Sequence, residues 1–115
     1  MPELTAQLLS ERDPLAFGLP DEALTKLRNV FAQNPDIECV WIYGSRAKGN
    51  FRPGSDVDLS LQAPGMDSTQ LLPLIQRIDD LLLPYQVDLS LLHQIDNPDL
   101  RDHITRVGLV FWKRK

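Results

Sequence analysis

Three short features of this chain could carry chemistry. Gly44-Ser45 closes an apolar run, Asp56-Val57-Asp58 follows after ten intervening residues, and a further aspartate, Asp88, lies in the alternating run Gln86-Val87-Asp88-Leu89-Ser90-Leu91. A Gly-Ser pair that opens a helix presents backbone N–H groups to a phosphate, and glycine lets a ligand come close to the main chain. Ser45 is a suitable N-cap whose hydroxyl can also donate to a phosphate oxygen. Arg46 and Lys48 follow at once and read as further phosphate contacts, and Arg52 is the next cation along. Two aspartates at i and i+2 on a strand point to one face, ~6–7 Å apart. At that spacing they repel by about 3 kcal/mol at an effective dielectric of ~20, so a site that gathers Asp56, Asp58 and Asp88 calls for a cation. Two Mg2+ ions held ~3.5–4 Å apart by shared carboxylates would clamp a triphosphate and activate an attacking oxygen. The chemistry implied is phosphoryl or nucleotidyl transfer.

These residues need elements that bring them together. Val40-Trp41-Ile42-Tyr43 is short, β-branched and aromatic, and reads as a buried strand running into Gly44. Asp56 to Leu61 alternates, with Asp56, Asp58 and Ser60 on one face and Val57, Leu59 and Leu61 on the other; Gln86 to Leu91 repeats the pattern, and the tetrapeptide Asp-Leu-Ser-Leu occurs in both. If the two strands are neighbours with their apolar faces on one core, Asp88 joins Asp56 and Asp58 on the open face. Asp21 is a plausible N-cap for a helix to about Gln33, with Leu24, Leu27, Val30 and Phe31 as its stripe. A second helix is expected between Ser68 and Leu83, with Leu71, Leu74, Ile75, Ile78, Leu81 and Leu82 inward and Pro73 limiting its start. Asn97-Pro98 is a cap and first-position signature for a third helix through Val107, with Leu100, Ile104 and Val107 inward and Gly108 at its end. Leu109 to Trp112 reads as a last strand. Strands alternating with helices give an α/β two-layer sandwich, helices on one sheet face and the other face open. Residues 1–20 read as an N-terminal arm, with one candidate helix at Leu4 to Arg12, and residues 21–115 as the domain.

Composition excludes several classes. At 115 residues the chain has one core and no room for a separate substrate domain. A net charge of -4, from 16 acidic and 12 basic side chains, disfavours extended binding to a nucleic-acid backbone and favours a nucleotide as substrate. One cysteine, Cys39, makes no internal disulfide and reads as a buried structural thiol; with His93 and His103 so dispersed, a zinc site is improbable. No apolar run reaches the ~20 residues of a membrane span and no basic start precedes one, so the expected location is cytoplasmic. A Walker loop is ruled out, because Gly44 and Gly49 have its glycine spacing but Asn50 stands where lysine is required. Tyr43 reads as a core or rim aromatic, with base stacking as the alternative. His93 has a smaller claim to lie near the site, and Lys113-Arg114-Lys115 reads as a solubilising tail.

The motif Gly44-Ser45, ten residues, Asp56-Val57-Asp58, with Asp88 on a later strand, resembles the minimal nucleotidyltransferases (MNT) of the DNA polymerase β superfamily. The resemblance spans roughly Leu24 to Trp112. It implies the polymerase β-like nucleotidyltransferase fold, a two-layer sandwich with a mixed sheet. It also implies that Gly44 and Ser45 hold the β and γ phosphates, that Asp56 and Asp58 hold two Mg2+ ions, and that Asp88 completes the metal site and helps to deprotonate the acceptor hydroxyl. Within the superfamily the short stand-alone form is similar to the MNT component of two-gene HEPN and MNT systems, whose partner is a helical HEPN protein and in several cases an adenylylated toxin. The function so implied is transfer of a nucleoside monophosphate, AMP from ATP, to a hydroxyl of a helical partner. Two alternatives stand beside it: an antitoxin that neutralises its partner by contact, and transfer to a small molecule such as an antibiotic.

Overall fold

The helices begin where capping chemistry allows. In a computed structural model, which describes residues 16–115, α1 (Asp21–Ala32) starts one residue before expectation: Pro20 takes the N-cap position and Asp21 is the first helical residue. Strand β1 (Cys39–Tyr43) leads through Gly44 into the one-turn helix α2 (Ser45–Lys48), and β2 (Val57–Gln62) follows. Helix α3 (Ser68–Asp79) is opened by a capping box in which the Asp67 carboxylate accepts from the Gln70 amide and the Gln70 side chain accepts from the Asp67 amide. Then come β3 (Val87–Leu91), α4 (Pro98–Val107) and β4 (Leu109–Lys113). Asn97 caps α4 as its sequence signature requires, its side-chain oxygen accepting from the amides of Asp99 and Leu100 at 2.9 and 3.3 Å. The candidate helix at Leu4 to Arg12 lies outside the described residues.

The four strands form one mixed sheet in the order β3-β2-β1-β4. β1 is antiparallel to both β2 and β4, whereas β2 and β3 run parallel across the α3 connection. That parallel pair explains the repeated tetrapeptide: Asp58 faces Asp88, Leu59 faces Leu89, Ser60 faces Ser90 and Leu61 faces Leu91. The apolar faces meet α1 and α3 in one core, where Val40, Ile42, Val57, Leu59 and Leu61 are completely buried beside Leu27 and Phe31. Helices α1 and α3 thus cover one face of the sheet, as the alternation requires.

Three apolar expectations fail at helix ends. α3 closes at Asp79, where the Leu81 and Leu82 amides bond back three residues to Ile78 and Asp79; Leu82 then takes a left-handed φ of 55° and is 87% exposed, not inward. Pro73 lies in the second turn of α3 rather than its first, on the exposed side where water can serve the Thr69 carbonyl it leaves free. In α4 only Ile104 is buried, while Leu100 and Val107 are exposed. The reason is placement: α4 packs against β1 outside the main core, so one residue rather than a stripe is enclosed. Packing also begins before residue 21. Leu19 is fully buried in the core, and the Phe17 ring stands 5.8 Å from that of Phe111.

Candidate active site

The site is built where β1 ends and β2 and β3 begin. At the end of β1 the chain turns at Gly44, whose φ of 75° and ψ of -154° an L side chain seldom adopts. A Cβ at this position would stand 2.5 Å from Asp58 Oδ2, so the backbone calls for glycine and any side chain would also push the carboxylate aside. Gly44 occupies the N-cap position that the sequence suggests for Ser45, and Ser45 becomes the first residue of α2. The amides of Lys48 and Gly49 bond back to the carbonyls of Gly44 and Ser45, which leaves the amides of the first turn without carbonyls of their own helix. Lys48, at the end of that turn, is exposed and remains available to a phosphate.

Asp58 is half-buried on β2 and Asp88 exposed on β3, and their register sets them side by side. Burial pushes the Asp58 carboxyl above the usual carboxylate range, the charges of Asp88 and then Asp56 raise it further, and the hydrogen bond to Asp88 acts in the same direction. Tyr43 pairs with Asp58 across β1 and β2. Its phenol is pushed up chiefly by burial, with Asp58 and Asp88 adding and a hydrogen bond to Ser90 opposing. Tyr43 is therefore a rim aromatic on the carboxylate face.

Not every expected residue converges. Asp56 is exposed and precedes β2, so no ladder holds it, and among the described residues no three His, Cys, Asp or Glu side chains form a ligating cluster. Asp58 and Asp88 form a close pair, with Asp56 near enough to act on Asp58 through its charge. Arg46 is corrected more sharply. Only 2% exposed, its guanidinium donates to the carbonyls of Phe17, Pro53 and Ser55. A guanidinium this enclosed, with four hydrogen bonds already made to carbonyls, does not serve as an open phosphate contact. His93 sits beyond the far end of β3, lining a separate cavity of about 430 Å3 with Glu38, Gln62 and Arg101. Cys39 is buried, as a structural thiol should be. Sequence reasoning missed Ser60 and Ser90, one step behind the carboxylate pair: Ser60 is completely buried and accepts from the Ser90 hydroxyl at 3.0 Å. The repeated Asp-Leu-Ser-Leu was the available signal.

The family profile described as "Polymerase beta, Nucleotidyltransferase" matches residues 25–115, which includes the turn, both strands and all three aspartates. The chain belongs to this family. No curated protein matches it in sequence. Among solved structures, this nucleotidyltransferase is similar to a chain in the crystal structure of a toxin-antitoxin with AMP-PNP, with a TM-score of 0.62 and 22% identity over 82% of this chain and 73% of that one. It is also similar to a chain of the tri-AMPylated Shewanella oneidensis HEPN toxin in complex with MNT antitoxin, with a TM-score of 0.61 and 19% identity over 81% and 71%. A third likeness is to the toxin-antitoxin MntA-HepT, with a TM-score of 0.59 and 20% identity over 81% and 72%. At these identities the likeness is one of fold, that of a minimal nucleotidyltransferase. No described helix is long and apolar enough to cross a membrane.

The donor set of this nucleotidyltransferase fits Mg2+. Hard carboxylate oxygens suit the ion, and it is commonly bound through one or two carboxylates together with substrate phosphates rather than in an all-protein cage. Asp58 and Asp88 supply such a pair, set side by side by their strand register. The pairing of Tyr43 with Asp58 sets the Gly44 turn beside the Asp58 carboxylate.

Proposed function

We propose that the chain transfers AMP from ATP to a hydroxyl on a helical, HEPN-type partner protein. The observation that carries this reading is the Asp58–Asp88 pair set in register beside a turn with no room for a Cβ at Gly44. In this reading the free amides after Gly44 and the Ser45 hydroxyl bind the β and γ phosphates, with Lys48 as a further contact. Asp56, Asp58 and Asp88 would hold Mg2+, which when bound neutralises charge on the triphosphate. Asp88, the more exposed of the strand pair, takes the proton of the acceptor hydroxyl. The acceptor oxygen forms the new bond to the α-phosphorus, and the bond to the leaving pyrophosphate breaks. Attack requires the acceptor ~3–3.5 Å from phosphorus, so the partner must approach the sheet face that carries these carboxylates. Two solved structures of this fold support the reading, one with AMP-PNP and one with a tri-AMPylated HEPN toxin.

The test incubates the protein with Mg2+, ATP and a HEPN-type partner, followed by intact-mass analysis of both chains. Mass added to the partner in steps of AMP, and lost with Asp88→Asn, is the expected result. A partner that binds tightly but stays unmodified by the wild type would refute transfer and leave neutralisation by contact.

A further inference from the structure

We propose that Arg46 is a positioning residue for this site, holding the 49–55 loop in the course that delivers Asp56 to the Gly44–Ser45 turn; the inference rests on the nucleotidyltransferase reading and deepens it. Between the Gly44–Ser45 turn and Asp56 the chain runs through α2 and that loop, and Arg46 is the residue immediately after Ser45. Its Nε and Nη2 donate to the Ser55 carbonyl at 3.1 and 2.8 Å, and Nη2 also reaches the Pro53 carbonyl at 3.3 Å. Ser55 immediately precedes Asp56, so a buried cation anchored one residue past the turn grips the peptide one residue before the carboxylate. The Ser55 hydroxyl closes the loop on itself by accepting from the Arg52 amide at 2.8 Å.

The guanidinium is fixed from the other sides as well. It lies over the Phe51 ring at 5.2 Å and the Tyr85 ring at 5.1 Å, and Nη1 donates to the Phe17 carbonyl at 2.9 Å. Gly18 makes room for it: its φ is 73°, and a Cβ there would meet the Phe51 ring and stand 2.8 Å from Arg46 Nη1. The planar fork of arginine spreads its donors over three nitrogens that reach three carbonyls on different sides, whereas the three donors of a lysine ammonium sit on one nitrogen. Asp56 belongs to no strand: on its C-terminal side the Val57 amide bonds to the Gln86 carbonyl at 2.8 Å, and on its N-terminal side this clamp fixes its approach. The segment at residues 17–18 thereby becomes part of the scaffold of the site.

Arg46→Lys and Gly18→Ala test this, the second disturbing the seat of the guanidinium without touching the site. Each is compared with wild type by hydrogen exchange of the amides at residues 50–56 and by calorimetric titration of AMP-PNP at several Mg2+ concentrations, well below each variant's melting temperature so that global stability does not enter. The expected result is faster exchange in the loop and an affinity about 10-fold weaker, the low end of the loss seen when support behind metal ligands is removed, with half-saturation moved to higher Mg2+. Wild-type affinity and Mg2+ dependence in a folded variant whose loop exchanges faster would overturn the proposal. If neither variant folds, the wild type decides: the loop must be protected before nucleotide is added, and protection that arises only on binding would also overturn it. Failure of the wild type to bind Mg2+ and AMP-PNP would instead strike the nucleotidyltransferase reading, while the exchange comparison still judges the clamp.

Discussion

Replacing Asp58 by asparagine separates what the fold wants from what the chemistry needs. The Asp58 carboxyl is raised by burial and by its neighbours Asp88 and Asp56. A carboxyl whose folded pKa lies above its unfolded value of about 3.9 penalises the fold once charged: the penalty is absent below the unfolded pKa, grows as pH rises toward the folded one, and is complete above it. Neighbouring strands are ~4.8 Å apart, and two unit charges ~5 Å apart repel by about 3 kcal/mol at an effective dielectric of ~20. Asp88 is exposed, so water screens the pair toward the surface-pair scale of about 1 kcal/mol. Asp58→Asn should therefore stabilise the metal-free protein near neutral pH by about 1 kcal/mol, a rise in melting temperature of roughly 4 °C for a domain of this size. The difference should shrink as pH falls and vanish only well below the unfolded pKa of about 3.9, where the wild-type carboxyl is protonated in both states. Urea unfolding across that pH range, with and without Mg2+, reads it directly. Added Mg2+ should stabilise the wild type and leave the variant nearly unchanged. A variant less stable than wild type in metal-free solution at neutral pH, or one stabilised by Mg2+ as much as wild type, would refute the reasoning.

Two further outcomes follow from the same geometry. Gly44→Ala forces a side chain into a left-handed turn and against Asp58 Oδ2, so it should cost about 1–3 kcal/mol of stability and abolish AMP-PNP binding; calorimetry that finds wild-type affinity would place the nucleotide elsewhere. Ser60→Ala leaves the Ser90 hydroxyl without its partner and should cost about 1 kcal/mol, whereas in a double-mutant cycle Ser90→Ala added on that background should cost less than it does alone. Additive losses in denaturant melts would mean that the two hydroxyls do not support one another.

Much of this protein was legible locally. Period-two alternation assigned Asp58, Ser60, Asp88 and Ser90 to one face, because side chains on a strand have only two directions. Asn97-Pro98 marked the start of α4, because an unpaired first turn needs a side-chain acceptor. Gly44-Ser45 was legible as a turn because few other residues can make it. Local pattern decides nothing where the partner is distant in sequence. Nothing local states that β2 and β3 run parallel, yet that direction is what sets Asp58 against Asp88 rather than a residue or two away. Leu100, Val107 and Leu82 have the periodicity of inward residues, but whether a helix face is covered depends on what lies opposite it, and α4 packs chiefly on β1 while α3 ends before Leu82. Arg46 is the clearest case. A cation beside a phosphate turn reads as a phosphate ligand, and only the arrival of the Phe17, Pro53 and Ser55 carbonyls from three points of the chain turns it inward, since a buried guanidinium goes where the most acceptors converge.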